Sequence, residues 1–146
     1  MGIKRGFTLI EVLVVIGIIA ILASIAIVAI NPAKQFAQAN NSQRWSNVNA
    51  ILNAVHQYAV DNRGALPAGI TGTAKSICTT PTTTPCNGVT EIYLGALTPV
   101  YVVGMPTDPT GSGTGLTGYT IATSTGNRII VNAPSAENGE VISVTR

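Results

Sequence analysis

The stretch that decides the reading of this chain is RGFTLIEVLVVIGIIAILASIAIVAI, residues 5–30. From Phe7 to Ile30 it holds 24 residues and a single charge, Glu11. A helix of that length spans about 36 Å, more than the roughly 30 Å of a bilayer's hydrocarbon core. Lys4 and Arg5 stand just before it. Positive flanks stay on the cytoplasmic side, so the rest of the chain is expected to face outward. A carboxylate within such a run costs about 2.5–3.5 kcal/mol on insertion scales, and residues of this kind are usually functional. A secretory signal has an apolar core of roughly 7–15 residues that ends in a small-residue cleavage site. This run is longer, and its nearest match to such a site, Ser24-Ile25-Ala26, lies inside it. A plain membrane anchor explains the length and the basic flank but not Glu11.

The remaining composition narrows the function classes. Mean hydropathy is +0.38, but the excess sits in the N-terminal run. The rest of the chain is polar, rich in Thr, Asn and Gly, and at about 110 residues large enough for one core. Setting Lys4 and Arg5 aside leaves six basic and six acidic side chains, with no basic patch interleaved with aromatics, so nothing points to nucleic acid. His56 is the one histidine. Beside an apolar helical stripe it reads as structural or solvent-facing. No nucleophile–base pair, metal cluster or phosphate loop stands out, so an enzyme is the least supported class and no cofactor is called for. The glycines of GTGLTG, residues 113–118, match a dinucleotide-binding spacing. That motif needs a strand before it and a helix after it. Here a strand-like segment comes after it, and the glycines read as an exposed loop.

Cys78 and Cys86 bracket CTTPTTTPC. In an exported domain such a pair reads as a disulfide, with two free thiols as the alternative. Closing so short a loop contributes about 2.5 kcal/mol in the chain-entropy model. Two cysteines and one distant histidine do not make a metal ligand set.

The chain is expected to divide into a leader, 1–6; an apolar helix, 7–30; an amphipathic continuation, 31–64; a Thr/Pro-rich connection with the disulfide, 65–104; and a sheet region, 105–146. Pro32 should break or loosen the helix. Beyond it, Trp45, Val48, Leu52, Val55 and Ala59 recur at 3–4 spacing, with Ile51 and Tyr58 on the flank and Arg44, Asn47, Asn49 and Asn53 largely off the stripe. Arg63-Gly64 suits the helix end. A continuous helix from Phe7 to Asn62 would be about 84 Å long. Glu91 to Leu97 reads as a short helix or turn and Val100 to Val103 as a short strand. Tyr119 to Ser124 and Arg128 to Ala133 flank a hairpin turn at Thr125-Gly126-Asn127, and Val141 to Val144 adds a third strand. The expected fold class is α+β: a long N-terminal helical spine packed on a small C-terminal antiparallel sheet.

Here the sequence resembles a known family. KRGFTLIEVLVVIGIIAILA, residues 4–23, is similar to the class III signal of bacterial type IV prepilins and type II secretion pseudopilins. The segment YAVDNRGALP, residues 58–67, resembles the helix end of the same proteins, and MPTDP, residues 105–109, the region before their sheet. The resemblance implies a pilin fold, cleavage between Gly6 and Phe7 by a membrane prepilin peptidase, and N-methylation of Phe7. It places Glu11 at the family's acidic position, pairing with a neighbouring subunit's Phe7 amine and setting register. It also implies an assembly ATPase, a platform protein and a helical homopolymer of the chain itself. The inner membrane would hold the precursor, and adhesion, motility or DNA uptake would be the output. A secretion pseudopilin is the runner-up, and a non-polymerising anchored binding module is the reading from another class. By the same resemblance Asp108, Glu137 and Glu140 are the candidates for calcium, although the acidic C-terminal pattern of the major pseudopilins is absent and solvated surface charge is the default. Thr79, Thr80, Thr82, Thr83 and Thr84 are candidate O-glycosylation sites by composition.

Overall fold

The computed structural model describes residues 6–81, 86, 88–113 and 115–146. Lys4, Arg5, Thr82, Thr83 and Thr84 lie outside the described residues. The chain divides into two compact units, Met1–Phe36 and Ala37–Arg146.

In the first unit, helix α1 runs Leu9–Ile30 and has no buried residue. It is apolar on every side and long enough to cross a bilayer. Its hydroxyl at Ser24 is satisfied internally, donating to the Ile21 carbonyl at 2.8 Å. The helix closes at Asn31, which adopts a left-handed backbone at φ 47°. Asparagine tolerates that conformation better than most residues. Helix α2 then runs Pro32–Asp61. A first-turn proline lacks only an N–H that would have no helical partner. Asn31 serves both helices, because its carbonyl oxygen accepts from the Lys34 N–H at 3.1 Å and its Oδ1 from the same group at 3.4 Å. Left-handed geometry thus falls on Asn31, and Pro32 is already helical.

In the second unit, α2 packs on a five-stranded sheet in the order β2-β1-β3-β4-β5. The strands are β1 Lys75–Cys78, β2 Glu91–Tyr93, β3 Leu116–Thr123, β4 Ile129–Ala133 and β5 Ile142–Thr145. Every neighbouring pair is antiparallel except β1–β2, which is parallel. The fold is α+β, a helix on a mostly antiparallel sheet. Val48, Ile51, Leu52 and Val55 of α2 meet Ile77, Tyr119, Ile121, Val131 and Ile142 of the sheet in one core. α2 ends through Arg63 and Gly64, both left-handed at φ 57° and 88°, with the Gly64 N–H reaching the Ala59 carbonyl at 2.7 Å.

Three sequence expectations change. Trp45 is 36% exposed, whereas Arg44 and Asn47 are buried. Val48, Leu52 and Val55 of the expected stripe and the flanking Ile51 are buried, but toward the N-terminal side the inward face is carried by Asn41, Arg44 and Asn47 rather than by Trp45. The 65–104 connection is not all loop. It supplies β1, β2 and a 3₁₀ turn at Gly95–Leu97. β1 has only Ile77 and Cys78 as apolar residues, too few to show a period. The Val100 to Val103 strand is absent. Tyr101 and Val102 both donate to the Leu97 carbonyl in a turn, and Val100 and Val103 are exposed. Cys78, at the end of β1, is joined to Cys86 by a disulfide.

Gly118 in β3 has φ +85°, and a Cβ there would come within 2.7 Å of Asp108 Cβ and 2.9 Å of Ser112 Cβ. Gly126, in the hairpin turn, has φ +90° with open space around it. Gly126→Ala should therefore cost only the backbone conformation, about 1–2 kcal/mol. Gly118→Ala adds a clash with two backbone-tethered carbons and is expected to cost clearly more. Thermal midpoints of the two variants check the order.

Candidate functional site

Two polar constellations stand out, one in each unit. The first is at the start of α1. Thr8 is the N-cap, with extended backbone at φ −85°, ψ 152°. Its Oγ1 accepts from the Glu11 N–H at 3.3 Å. Glu11 replies with Oε2, which accepts from the Thr8 N–H and the Thr8 hydroxyl, both at 3.0 Å. This is a complete capping box. Its signal, Thr followed three residues later by Glu before an apolar run, is visible in Thr8-Leu9-Ile10-Glu11, yet Thr8 is not among the sequence-derived site residues. The box gives the carboxylate local partners at the helix end whose unpaired N–H groups favour an anion. Phe7 is 87% exposed, next to this box. Gly6, Phe7 and Glu11 thus fall within one short segment around the Thr8 cap.

The second constellation gathers the three calcium candidates around a buried arginine. Arg44 and Asp108 have side chains with no exposure, and Glu137 is 35% exposed. The guanidinium is bidentate to Asp108, Nε to Oδ2 at 2.7 Å and Nη2 to Oδ1 at 3.0 Å. Nη1 donates to Glu137 Oε2 at 2.7 Å and to Asn41 Oδ1 at 2.9 Å. Thr110 supports Asp108 with its N–H at 3.0 Å and its hydroxyl at 2.6 Å, both to Oδ1. Glu140 accepts from Trp45 Nε1 at 2.6 Å and from Asn41 Nδ2 at 2.8 Å. Asp108 and Glu137 converge, but on a guanidinium that a divalent cation there would have to displace, and Glu140 is tied instead to Asn41 and Trp45. Among the described residues no group of three His, Cys, Asp or Glu is arranged to hold a metal. Arg44 is the residue that sequence reasoning misses. The 3–4 spacing of Asn41, Arg44, Val48, Ile51 and Val55 marks it as inward, but an inward arginine is legible only once its acid is located.

Electrostatics follow from the geometry. Burial penalises the Asp108 carboxylate, but the Arg44 and Thr110 hydrogen bonds outweigh this and hold its pKa below the usual value. Glu137 is also lowered, chiefly by its bond to Arg44. The two carboxylates in turn raise Arg44, against its own desolvation. His56 lies elsewhere on α2, and its Nε2 has no hydrogen-bond partner among the described residues. Gly113 lies in the loop leading into β3 and Gly118 within β3 itself, and the next element is strand β4 rather than a helix.

Residues 1–27 match the family model of the prokaryotic N-terminal methylation motif. The matched segment contains Gly6, Phe7, Thr8 and Glu11 and supports a class III prepilin signal of the kind that type IV pilins and pseudopilins carry. No curated protein matches the chain, and no solved structure does.

Arg44→Met should strand Asp108 as a buried unpaired charge and cost about 3–5 kcal/mol. The pH dependence has a definite sign. Asp108 and Glu137 have folded pKa values below their ordinary 3.8 and 4.5. Their stabilisation is therefore complete above about pH 5 and is lost as pH falls through the lowered values. Chemical denaturation between pH 7 and pH 2 checks this, and Arg44→Met should flatten the acid loss.

Proposed function

We propose that this chain, carrying a prepilin signal ahead of an unburied apolar helix, is the structural subunit of a type IV pilus. It enters the inner membrane through α1 with its N-terminus in the cytoplasm. A prepilin peptidase cuts between Gly6 and Phe7, and the new amine on Phe7 is methylated. An assembly ATPase and platform protein, implied by the family, then draw copies into a surface filament. The observation that carries this reading is the methylation motif over residues 1–27. The complete exposure of α1 in the single chain supports it.

The chemistry is consistent with that order of events. Cleavage leaves a cation on Phe7, and methylation keeps the charge. In a bundle of α1 helices, Glu11 of one copy pairs with the Phe7 amine of a neighbour, because two charges that are costly alone become tolerable together. A single buried polar pair also fixes axial register, as it does in coiled coils. Before assembly the Thr8 capping box satisfies the carboxylate within its own chain. The helices then form the filament core and the sheet domains its outer layer.

Mass spectrometry of the N-terminal peptide from native cells is expected to find a chain that begins at methylated Phe7. Mature protein that keeps Lys4 and Arg5 would instead mean a static anchor. Glu11→Ala should still be processed but yield at least about tenfold less sheared filament, the equivalent of losing about 1.4 kcal/mol or more per contact. Imaging at native expression should show filaments on the surface. Loss of enzyme secretion on deletion, without surface filaments, would replace the pilus by a secretion pseudopilus.

A further inference from the structure

An open groove lies near the C-terminal end of α2. Its walls are His56, Gln57, Val60 and Asp61 on α2, with Val100 and Tyr101 from a later turn, around about 500 Å³. Val60 is 79% exposed and Val100 75%. Tyr101 is held in place, its hydroxyl donating to Asp61 Oδ2 at 2.9 Å and its ring meeting Tyr58 edge-on at 5.8 Å. The buried Nε2 of His56 in this wall lacks a hydrogen-bond partner among the described residues. An open groove walled by exposed Val60 and Val100 suits an occupant that brings an apolar side chain.

The charge pattern says what that occupant is. Asn41 near the start of α2 bonds Glu137 and Glu140, while Asn53 bonds Arg146. β4 and β5 run antiparallel between these points. Their connection, with Glu137 and Glu140, therefore sits at one end of the domain beside Asp108 and Arg44. Arg128 and Arg146 sit at the other end, where the Ile129 N–H bonds the Arg146 carbonyl at 2.7 Å. Asp61 and Arg63 lie past Asn53 toward this second end. Lys75 and Glu91 stand on adjacent strands and offset each other. The first end carries three side-chain carboxylates and one guanidinium, and the second three guanidiniums and one side-chain carboxylate. At the acidic end Val141 is 82% exposed, immediately after Glu140.

We infer that the groove receives a second copy of this chain. The 137–141 loop of one subunit docks there with Val141 between Val60 and Val100. Glu137 and Glu140 face Arg63 and Arg128 of the receiving subunit. The contact is heterologous, joining two different surfaces, and a repeated heterologous contact that does not close generates a helical filament. Opposite charges across it favour one axial direction of stacking and disfavour the reverse. This inference rests on the filament reading above and adds a contact between sheet domains to the packing of the α1 helices.

The test uses the full chain in its native cells. With p-benzoylphenylalanine in place of Val60, irradiation should give a ladder of covalent multimers whose cross-linked peptide contains residues 137–141. Val60→Asp should lower sheared filament about tenfold, as expected for a charge pressed into an apolar contact. The same variant should keep methylated Phe7 and an unchanged thermal midpoint, since Val60 is exposed. Arg63→Glu with Arg128→Glu should make the filaments fall apart at lower salt. Cross-links to α1 of another copy, to lipid or to an unrelated protein would overturn the contact, as would wild-type filament levels in Val60→Asp. If the unsubstituted chain is not cut before Phe7 and forms no filament, the filament reading itself fails and this contact with it.

Discussion

Everything in this molecule has to accommodate 22 residues of helix with no buried side chain. At about 25 cal/mol per Å² of apolar surface, water is not a tolerable surrounding for α1. Two environments are, a bilayer and a sheath of similar helices. The sequence prepares for both. Backbone polar groups are satisfied within the helix, as lipid requires. The one carboxylate stands in the first turn, where unpaired N–H groups and the helix dipole already favour it. Had Glu11 fallen at the middle of α1, no cap could have reached it.

The sheet domain meets a second desolvation problem with the opposite tactic. Arg44 is fully buried, and a buried charge is tolerable only when its hydrogen-bonding capacity is filled. Asp108, Thr110, Glu137 and Asn41 together accept all five of its hydrogen bonds. The loops before β3 and after β4 are thereby held to α2 by directional bonds rather than by apolar contact alone. Such an arrangement specifies how the loops sit more than it adds net stability.

Much of the architecture is legible in the residues, and the failures have physical reasons. A run as apolar as Phe7 to Ile30 announces itself, and the alternation around Gly126-Asn127 marks the β3–β4 hairpin. The phase of α2 does not announce itself. Trp45 looks like core and Arg44 like surface until Asp108 is brought alongside. β1 and β2 are four and three residues long, so they carry no periodicity, and their parallel pairing is a tertiary outcome. At the N-terminal site, Glu11 is conspicuous because it is out of place. Thr8 is inconspicuous because threonine is at home in many settings, and only the three-residue offset to Glu11 betrays its role.

The partners of Arg44 are far away in sequence, Asp108 at 64 residues and Glu137 at 93. A ribosome adding about 5–20 residues per second needs roughly 5–20 s to travel from Arg44 to Glu137. Asp108 emerges partway through that interval and Glu137 only at its end, so until then the inward arginine lacks one or both of its acids. The network around Arg44 can therefore be completed only once most of the sequence is present. A chain that stops early keeps an uncompensated cation on the face meant for the core, and it stays open to proteolysis. The buried arginine is in this sense a check on completeness, since its network closes only when the β4–β5 connection has been made.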